Sequence, residues 1–229
     1  MLNYKKLENL EFTNFLRTFR DIQNISIMRS LMNQIIEQID FKGRIIDIGG
    51  GKKSNYFSIF DGLDYVSVNI DKKISPHFLV KVNQSFPLKD DNFDSCLLFN
   101  VLEHIYDWEF IFKEVKRLTI NDGKVFIIIP FLYPIHGAPN DFKRVTANYL
   151  EKFLKMQKFC DINIYPIAYG PMTNANVVGY SHQKVRGVFA SICMLLDKLF
   201  QVFFRKKLLR YTATNPLFYY VEAKNIKDY

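Results

Sequence analysis

Two stretches of the chain gather side chains that could do chemistry. In Pro130–Thr146 (PFLYPIHGAPNDFKRVT), His136, Asp141 and Arg144 fall within a short, proline-fixed span. An imidazole titrates near neutrality and can take a proton from a hydroxyl group. Asp141 and Arg144, three residues apart, can equally pair with each other, with His136 capping the turn. The second stretch is Asn100–His104, where Glu103-His104 offers either a reserve base or a pair that holds a helix start. His136, His104 and Asp141 are therefore the catalytic candidates. Proton removal from an acceptor hydroxyl is the reaction step they suit. The three cysteines, Cys96, Cys160 and Cys193, are odd in number and widely spaced, which excludes a disulfide scaffold and a CxxC metal site. No metal is expected.

A third constellation could bind rather than react. Asp47-Ile48-Gly49-Gly50-Gly51 stands where a strand ends and a helix should begin. Glycines there permit a tight turn and bring backbone N–H groups close to a ligand. The dinucleotide fingerprint would need a third spaced glycine at Ser54, and a Walker loop is absent. Asp47 can bond turn amides or accept from an amino-bearing ligand. Asp71 follows the next strand, 20 residues past Gly51, where an acid can accept both hydroxyls of a ribose. A solvated turn aspartate is its plain alternative.

The elements that must position these residues are readable from hydrophobic period. Met28, Leu31, Met32, Ile35, Ile36 and Ile39 make one helical face in a helical region over 1–40, and Gly43 is a stop signal. Apolar runs at Arg44–Ile48, Tyr65–Ile70, Phe78–Val82, Ser95–Phe99 and Val125–Ile129 predict five strands. Ile162–Tyr169 and Leu217–Ala223 predict two more. Helical stretches lie between them, clearest at Trp108–Leu118. Alternation of this kind argues for an α/β fold with a parallel sheet covered on both faces.

Taken in order, Ile45–Gly51 (IIDIGGG), Asp71, Phe86–Asp94 (FPLKDDNFD), Asn100–Asp107 (NVLEHIYD) and Glu114–Gly123 (EVKRLTINDG) resemble class I S-adenosylmethionine-dependent methyltransferases of the type 11 kind. The resemblance spans roughly 40–155. It implies a Rossmann-like, doubly wound, seven-stranded sheet with its last strand antiparallel, S-adenosyl-L-methionine as cofactor, and a methyltransferase domain over 41–229. It implies that Asp47, Gly49, Gly50 and Gly51 flank the methionine part of the cofactor and that Asp71 holds the ribose. Asn83 and the end of the fourth strand, at Asn100, would frame the adenine. Lys81 and Val82 stand where an acid is common, and Lys52-Lys53 after the glycines is unusual. The Pro130–Thr146 loop resembles a subgroup associated with bacterial surface-polysaccharide functions, with its His…Pro-x-Asp-Phe-x-Arg-x-Thr pattern.

Charge is unevenly placed. The 229 residues carry 31 Lys+Arg against 23 Asp+Glu, a net of +8. Residues 184–210 hold 7 Lys+Arg and 1 Asp+Glu, so +6 of that charge sits there. From Val188 to Phe204, 13 of 17 residues are apolar. A helical insertion over 182–212, before the last strand, is expected. A core helix, an oligomer contact, a cover for the acceptor site and an interfacial helix on an anionic membrane are its readings; it is too charged and short for a clear span. Nucleic acid is disfavoured, because bulky aliphatics accompany the charges. The opening MLNYKKLENLEF lacks an apolar signal core, so a cytoplasmic protein, peripheral at the inner membrane face, is expected. The leading expectation is O-methylation of a glycan or lipid-linked sugar precursor. The alternatives are another small-molecule or RNA acceptor, or a non-catalytic methyltransferase-like binding protein, for which Lys81 and Lys52-Lys53 would speak.

Overall fold

The computed structural model describes residues 15–137, 140–179 and 186–227. Seven strands form one sheet: β1 (Arg44–Ile48), β2 (Asp64–Asn69), β3 (Phe78–Leu79), β4 (Phe93–Phe99), β5 (Thr119–Pro130), β6 (Phe159–Ile167) and β7 (Phe218–Asn225). Their order is β3-β2-β1-β4-β5-β7-β6. The pairs β1–β2, β2–β3, β1–β4 and β4–β5 are parallel, and the last strand is antiparallel. The chain winds outward from β1 in one direction and from β4 in the other. The loops after β1 and β4 therefore diverge, which opens a crevice at the carboxyl edge between them. Ile45, Ile46, Cys96, Leu97, Leu98 and Ile127 are all fully buried, as a sheet covered on both faces requires.

Of the described residues, 39–137 without 130–135, 140–164 and 220–227 form one compact unit, and 15–38, 130–135, 165–179 and 186–219 form a second. In the first unit the long crossover helix is where the period places it. The Asp107 side chain accepts from Phe110 N at 3.0 Å and starts a helix over Trp108–Leu118. Trp108, Ile111, Phe112, Val115 and Leu118 are its buried stripe.

The second unit holds four helices: α1 (Phe15–Asp21), α2 (Ile27–Ile36), α5 (Pro171–Gly179) and α6 (Arg186–Thr214), with α3 (Trp108–Leu118) and α4 (Ala147–Met156) belonging to the first. Buried polar groups tie α1 to α2. Gln34 Nε2 donates to Thr18 Oγ1 at 2.9 Å, and Ser30 Oγ donates to Asp21 at 2.8 Å. Helix α6 overlaps most of the segment read as a helical insertion and is broken at Phe204, whose backbone is non-helical (φ −133°, ψ 39°). Residues 1–14 of the expected N-terminal region and 182–185 of the insertion lie outside the described residues.

Three local expectations are corrected. No α-helix follows the glycine turn; the 15 residues between β1 and β2 hold only a 3-10 turn, Phe57–Phe60. After the glycines the Lys52 and Lys53 N–H groups donate to Ser75 O at 3.1 Å and Ile74 O at 3.0 Å, which ties the chain to the segment after β2. Strand β5 begins at Thr119 rather than Val125. It runs through a register shift between Phe93 and Ser95 of its partner, with Asp122 left-handed at φ 61°. Helix α2 ends at Ile36, which leaves Ile39 half-buried beyond it.

Candidate active site

Strand β1 delivers Asp47 into the core and then turns through three glycines. Gly49 has φ 96°, a conformation a side chain would strain, and its N–H donates to Val68 O at 2.8 Å. A Cβ on Gly49 would lie 2.5 Å from Val101 Cγ2, and one on Gly50 would lie 1.7 Å from Asp47 Oδ2. The turn is thus closed against the loop after β4 on one side and against Asp47 on the other.

Asp47 is completely buried. Its Oδ2 accepts from Tyr65 OH at 2.5 Å and Tyr56 OH at 3.0 Å, so tyrosine hydroxyls hold it rather than turn amides. Burial pushes its carboxyl up to about 6, against the two hydroxyls, which favour the charged form. Its Oδ1 has no hydrogen-bond partner among the described residues. A buried carboxylate oxygen without a donor, beside a turn that admits no side chain, fits an amino-bearing ligand such as the methionine end of S-adenosylmethionine.

The ribose candidate is joined to the turn by Asn69. Its Nδ2 donates to Gly49 O at 2.6 Å, and its Oδ1 accepts from Asp71 N at 2.9 Å. Asp71 Oδ1 in turn accepts from Lys73 N at 2.8 Å, which fixes the exposed carboxylate at the start of a short 3-10 turn. Sequence reasoning missed Asn69, Tyr56 and Tyr65. The only signal for Asn69 was its place two residues before Asp71. Asn83 is exposed and left-handed (φ 56°), four residues past β3. Among the described residues, no hydrogen bond joins it to the glycine turn. Asn100 is also left-handed (φ 49°), and its N–H donates to Ile128 O at 2.8 Å at the end of the β4–β5 ladder.

The reactive groups meet where the loops after β4 and β5 come together. A 3-10 turn, Leu102–His104, is pinned by Trp108 Nε1 donating to Leu102 O at 2.8 Å. Phe142 N donates to Glu103 O at 2.8 Å and brings the second loop alongside. His104 and His136 then face each other edge-on, with ring centroids 5.1 Å apart. Glu103 is buried at their side, its Oε1 3.6 Å from His104 Nε2. Asp141 accepts from His136 N at 3.0 Å and lies 3.4 Å from His136 Nδ1. Arg144 grips Asp141 with both terminal nitrogens, one at 2.6 Å. Burial works to raise the Asp141 carboxyl; Arg144 and the His136 N–H outweigh it and hold it below the usual range. Asp141 pairs with Arg144 and His136 at once, so it acts as a brace for the imidazole. The three catalytic candidates are in one place, with Glu103 added to them.

Residues 46–127 match the family model described as a methyltransferase domain. A curated relative, an uncharacterized protein of Methanocaldococcus jannaschii, is 23% identical over 135 residues, covering 55% of this chain and 58% of its own length. Among solved structures, a SAM-dependent methyltransferase from Archaeoglobus fulgidus has a TM-score of 0.54 at 19% identity, with 92% of this chain and 97% of that one covered. The Haemonchus contortus phosphoethanolamine N-methyltransferase 2 in complex with phosphomonomethylethanolamine and S-adenosylhomocysteine also has a TM-score of 0.54. Its identity is 13%, over 86% of this chain and 52% of that one. This chain thus spans little more than half the length of the curated relative and of the nematode enzyme. Residues 46–127 are thus similar to a methyltransferase domain, and the chain has the fold of the solved S-adenosylmethionine-dependent methyltransferase.

Proposed function

We propose that the chain transfers a methyl group from S-adenosylmethionine to a hydroxyl oxygen of a glycan or lipid-linked sugar precursor. When bound, that cofactor supplies a methyl group already activated on a sulfonium centre. Asp47 and the glycine turn hold its amino-acid end, and Asp71, steadied by Asn69, takes the ribose hydroxyls. The acceptor stands at the His104–His136 pair. His136 takes the hydroxyl proton, and Asp141, clamped by Arg144, keeps the imidazole oriented for it. One observation carries this reading: at the same sheet edge as the glycine turn, two loops bring His136, His104 and Glu103 together, with Asp141 braced behind them. The glycan acceptor is supported by the resemblance of the Pro130–Thr146 loop to polysaccharide-associated methyltransferases.

The lipid-linked form of the acceptor is supported by α6. Val188, Ile192, Leu199, Val202 and Phe203 stand outward along it, Val202 and Phe203 more than two-thirds exposed. By length and composition its Gly187–Thr214 stretch is long and apolar enough to cross a membrane, and only 28% of its most apolar part is buried. One face is nevertheless committed. Asp197, itself buried, accepts from Met172 N at 3.0 Å and Thr173 N at 2.8 Å and so caps α5. A helix fixed on one side, with Arg205, Lys206, Lys207 and Arg210 at its end, suits lying in an anionic interface rather than crossing it.

Calorimetry and turnover with candidate acceptors test the enzyme reading together. The His136→Ala variant should lose about a hundredfold or more in turnover while its affinity for S-adenosylmethionine stays unchanged. Absence of cofactor binding by the wild-type chain at high micromolar concentration would leave a methyltransferase-like binding protein. Turnover on RNA but not on polyprenyl-linked sugars would replace the acceptor.

A further inference from the structure

Both histidines of the acceptor cluster have one ring nitrogen already engaged. His104 Nδ1 hydrogen-bonds the Asn140 carbonyl, which makes it the protonated nitrogen and leaves Nε2 with its lone pair. His136 Nδ1 faces Asp141 Oδ2 at 3.4 Å, so a carboxylate stands behind that ring too. A carbonyl or carboxylate behind Nδ1 is the arrangement that orients an imidazole for coordination through its other nitrogen. Glu103 adds a buried carboxylate. One donor atom from each of Glu103, His104 and His136 lies within 4.8 Å of the other two. A tetrahedral ion with bonds of about 2.1 Å sets its ligands about 3.4 Å apart. The donors would have to draw together to reach that spacing, and the His136 side chain, 40% exposed on a loop, has room to turn.

We propose that Glu103, His104 and His136 bind a divalent transition cation of the zinc class. Two imidazoles and one carboxylate are a nitrogen-rich set that favours such an ion over magnesium or calcium. Three protein ligands leave a position open for the acceptor. The proposal rests on the reading that the acceptor binds at this pair, and in the loaded protein it makes His136 a ligand in place of the proton acceptor. In the loaded protein a coordinated acceptor hydroxyl is acidified and gives its proton to solvent. Its oxygen then forms the bond to the methyl carbon as the carbon–sulfur bond breaks, with the electron pair passing to sulfur. The sequence hid this site because Glu103-His104 and His136 are 32 residues apart and match no ligand spacing.

The full chain, stripped with a chelator, is dialysed against Zn²⁺, Co²⁺ or Mg²⁺, and bound metal is measured by mass spectrometry. About one Zn²⁺ per chain is expected, with Co²⁺ giving the visible absorption of a four- or five-coordinate site. His136→Ala and His104→Ala should each raise the Zn²⁺ dissociation constant by more than about tenfold. His77→Gln, which removes a histidine outside the cluster, should not. Substoichiometric Zn²⁺, equal binding by His136→Ala, or Mg²⁺ binding as tightly as Zn²⁺ would each overturn the assignment. Cofactor calorimetry on the same samples separates the two ideas. Zinc binding without S-adenosylmethionine binding removes the methyl-transfer reading and keeps the metal site; the reverse removes the metal site alone.

Discussion

At the scale of single residues, Asp47 shows how the binding role proposed for it would oppose stability. Its carboxyl is raised from 3.8 to about 6 because burial disfavours the charge more than Tyr56 and Tyr65 favour it. A raised acid stabilises the fold fully below its unfolded value and loses that contribution as pH rises through the folded one. The ligand-free protein should therefore lose about 2 kcal/mol between pH 4 and pH 7 relative to Asp47→Asn. Urea unfolding of both proteins across that range checks it, and parallel curves would refute it. The same substitution should weaken S-adenosylmethionine binding above pH 6, where the charged carboxylate would otherwise meet the ligand's ammonium group.

At the scale of elements, α3 does more than cover the sheet. Its Glu114 reaches back to Phe86 N at 2.7 Å and Ser85 Oγ at 2.9 Å, and Arg117 holds the same carboxylate at 2.6 Å. Burial works against the charge, but these donors outweigh it and hold the Glu114 carboxyl below its ordinary value. Its contribution is present above the unfolded pKa and disappears as pH falls through the folded one. Glu114→Gln should cost about 2 kcal/mol at neutral pH, and the gap should shrink in acid; thermal unfolding at several pH values reads it. Much of this level was legible beforehand. Period alone placed α3 at Trp108–Leu118, and turn residues with apolar runs placed every strand of the sheet. The glycine turn and Asp71 could be read because backbone conformation and spacing leave local marks. The clasp from Glu114 to the Phe86 run, the tyrosines on Asp47 and the meeting of His104 with His136 depend on loops closing over tens of residues, which no period records.

At the scale of the whole molecule, the charge is concentrated: +6 of the net +8 belongs to residues 184–210. Within that segment the usual arrangement is inverted. Asp197 is buried and bonded, whereas Leu199, Val202 and Phe203 face outward. If the segment lies on a membrane, the wild-type chain floats with anionic vesicles and not with neutral ones. Val202→Glu with Phe203→Glu should abolish flotation without altering S-adenosylmethionine affinity. Equal recovery with both vesicle types, or none, would count against an anionic surface as the partner.

The strand order also bears on how the protein is made. Strand β7 is the last of the seven in chain order, yet it lies inside the sheet, between β5 and β6. Leu217 at its start bonds both neighbouring segments, donating to Ile167 O at 2.7 Å and accepting from Phe131 N at 2.8 Å. Until residues 218–225 leave the ribosome, β5 and β6 have unfilled edges, and the apolar α6 has already emerged. The nascent chain thus passes through an interval in which an incomplete sheet and an apolar helix are both exposed to aggregation. A stop codon shortly before Phe218 would remove the strand that seals the sheet.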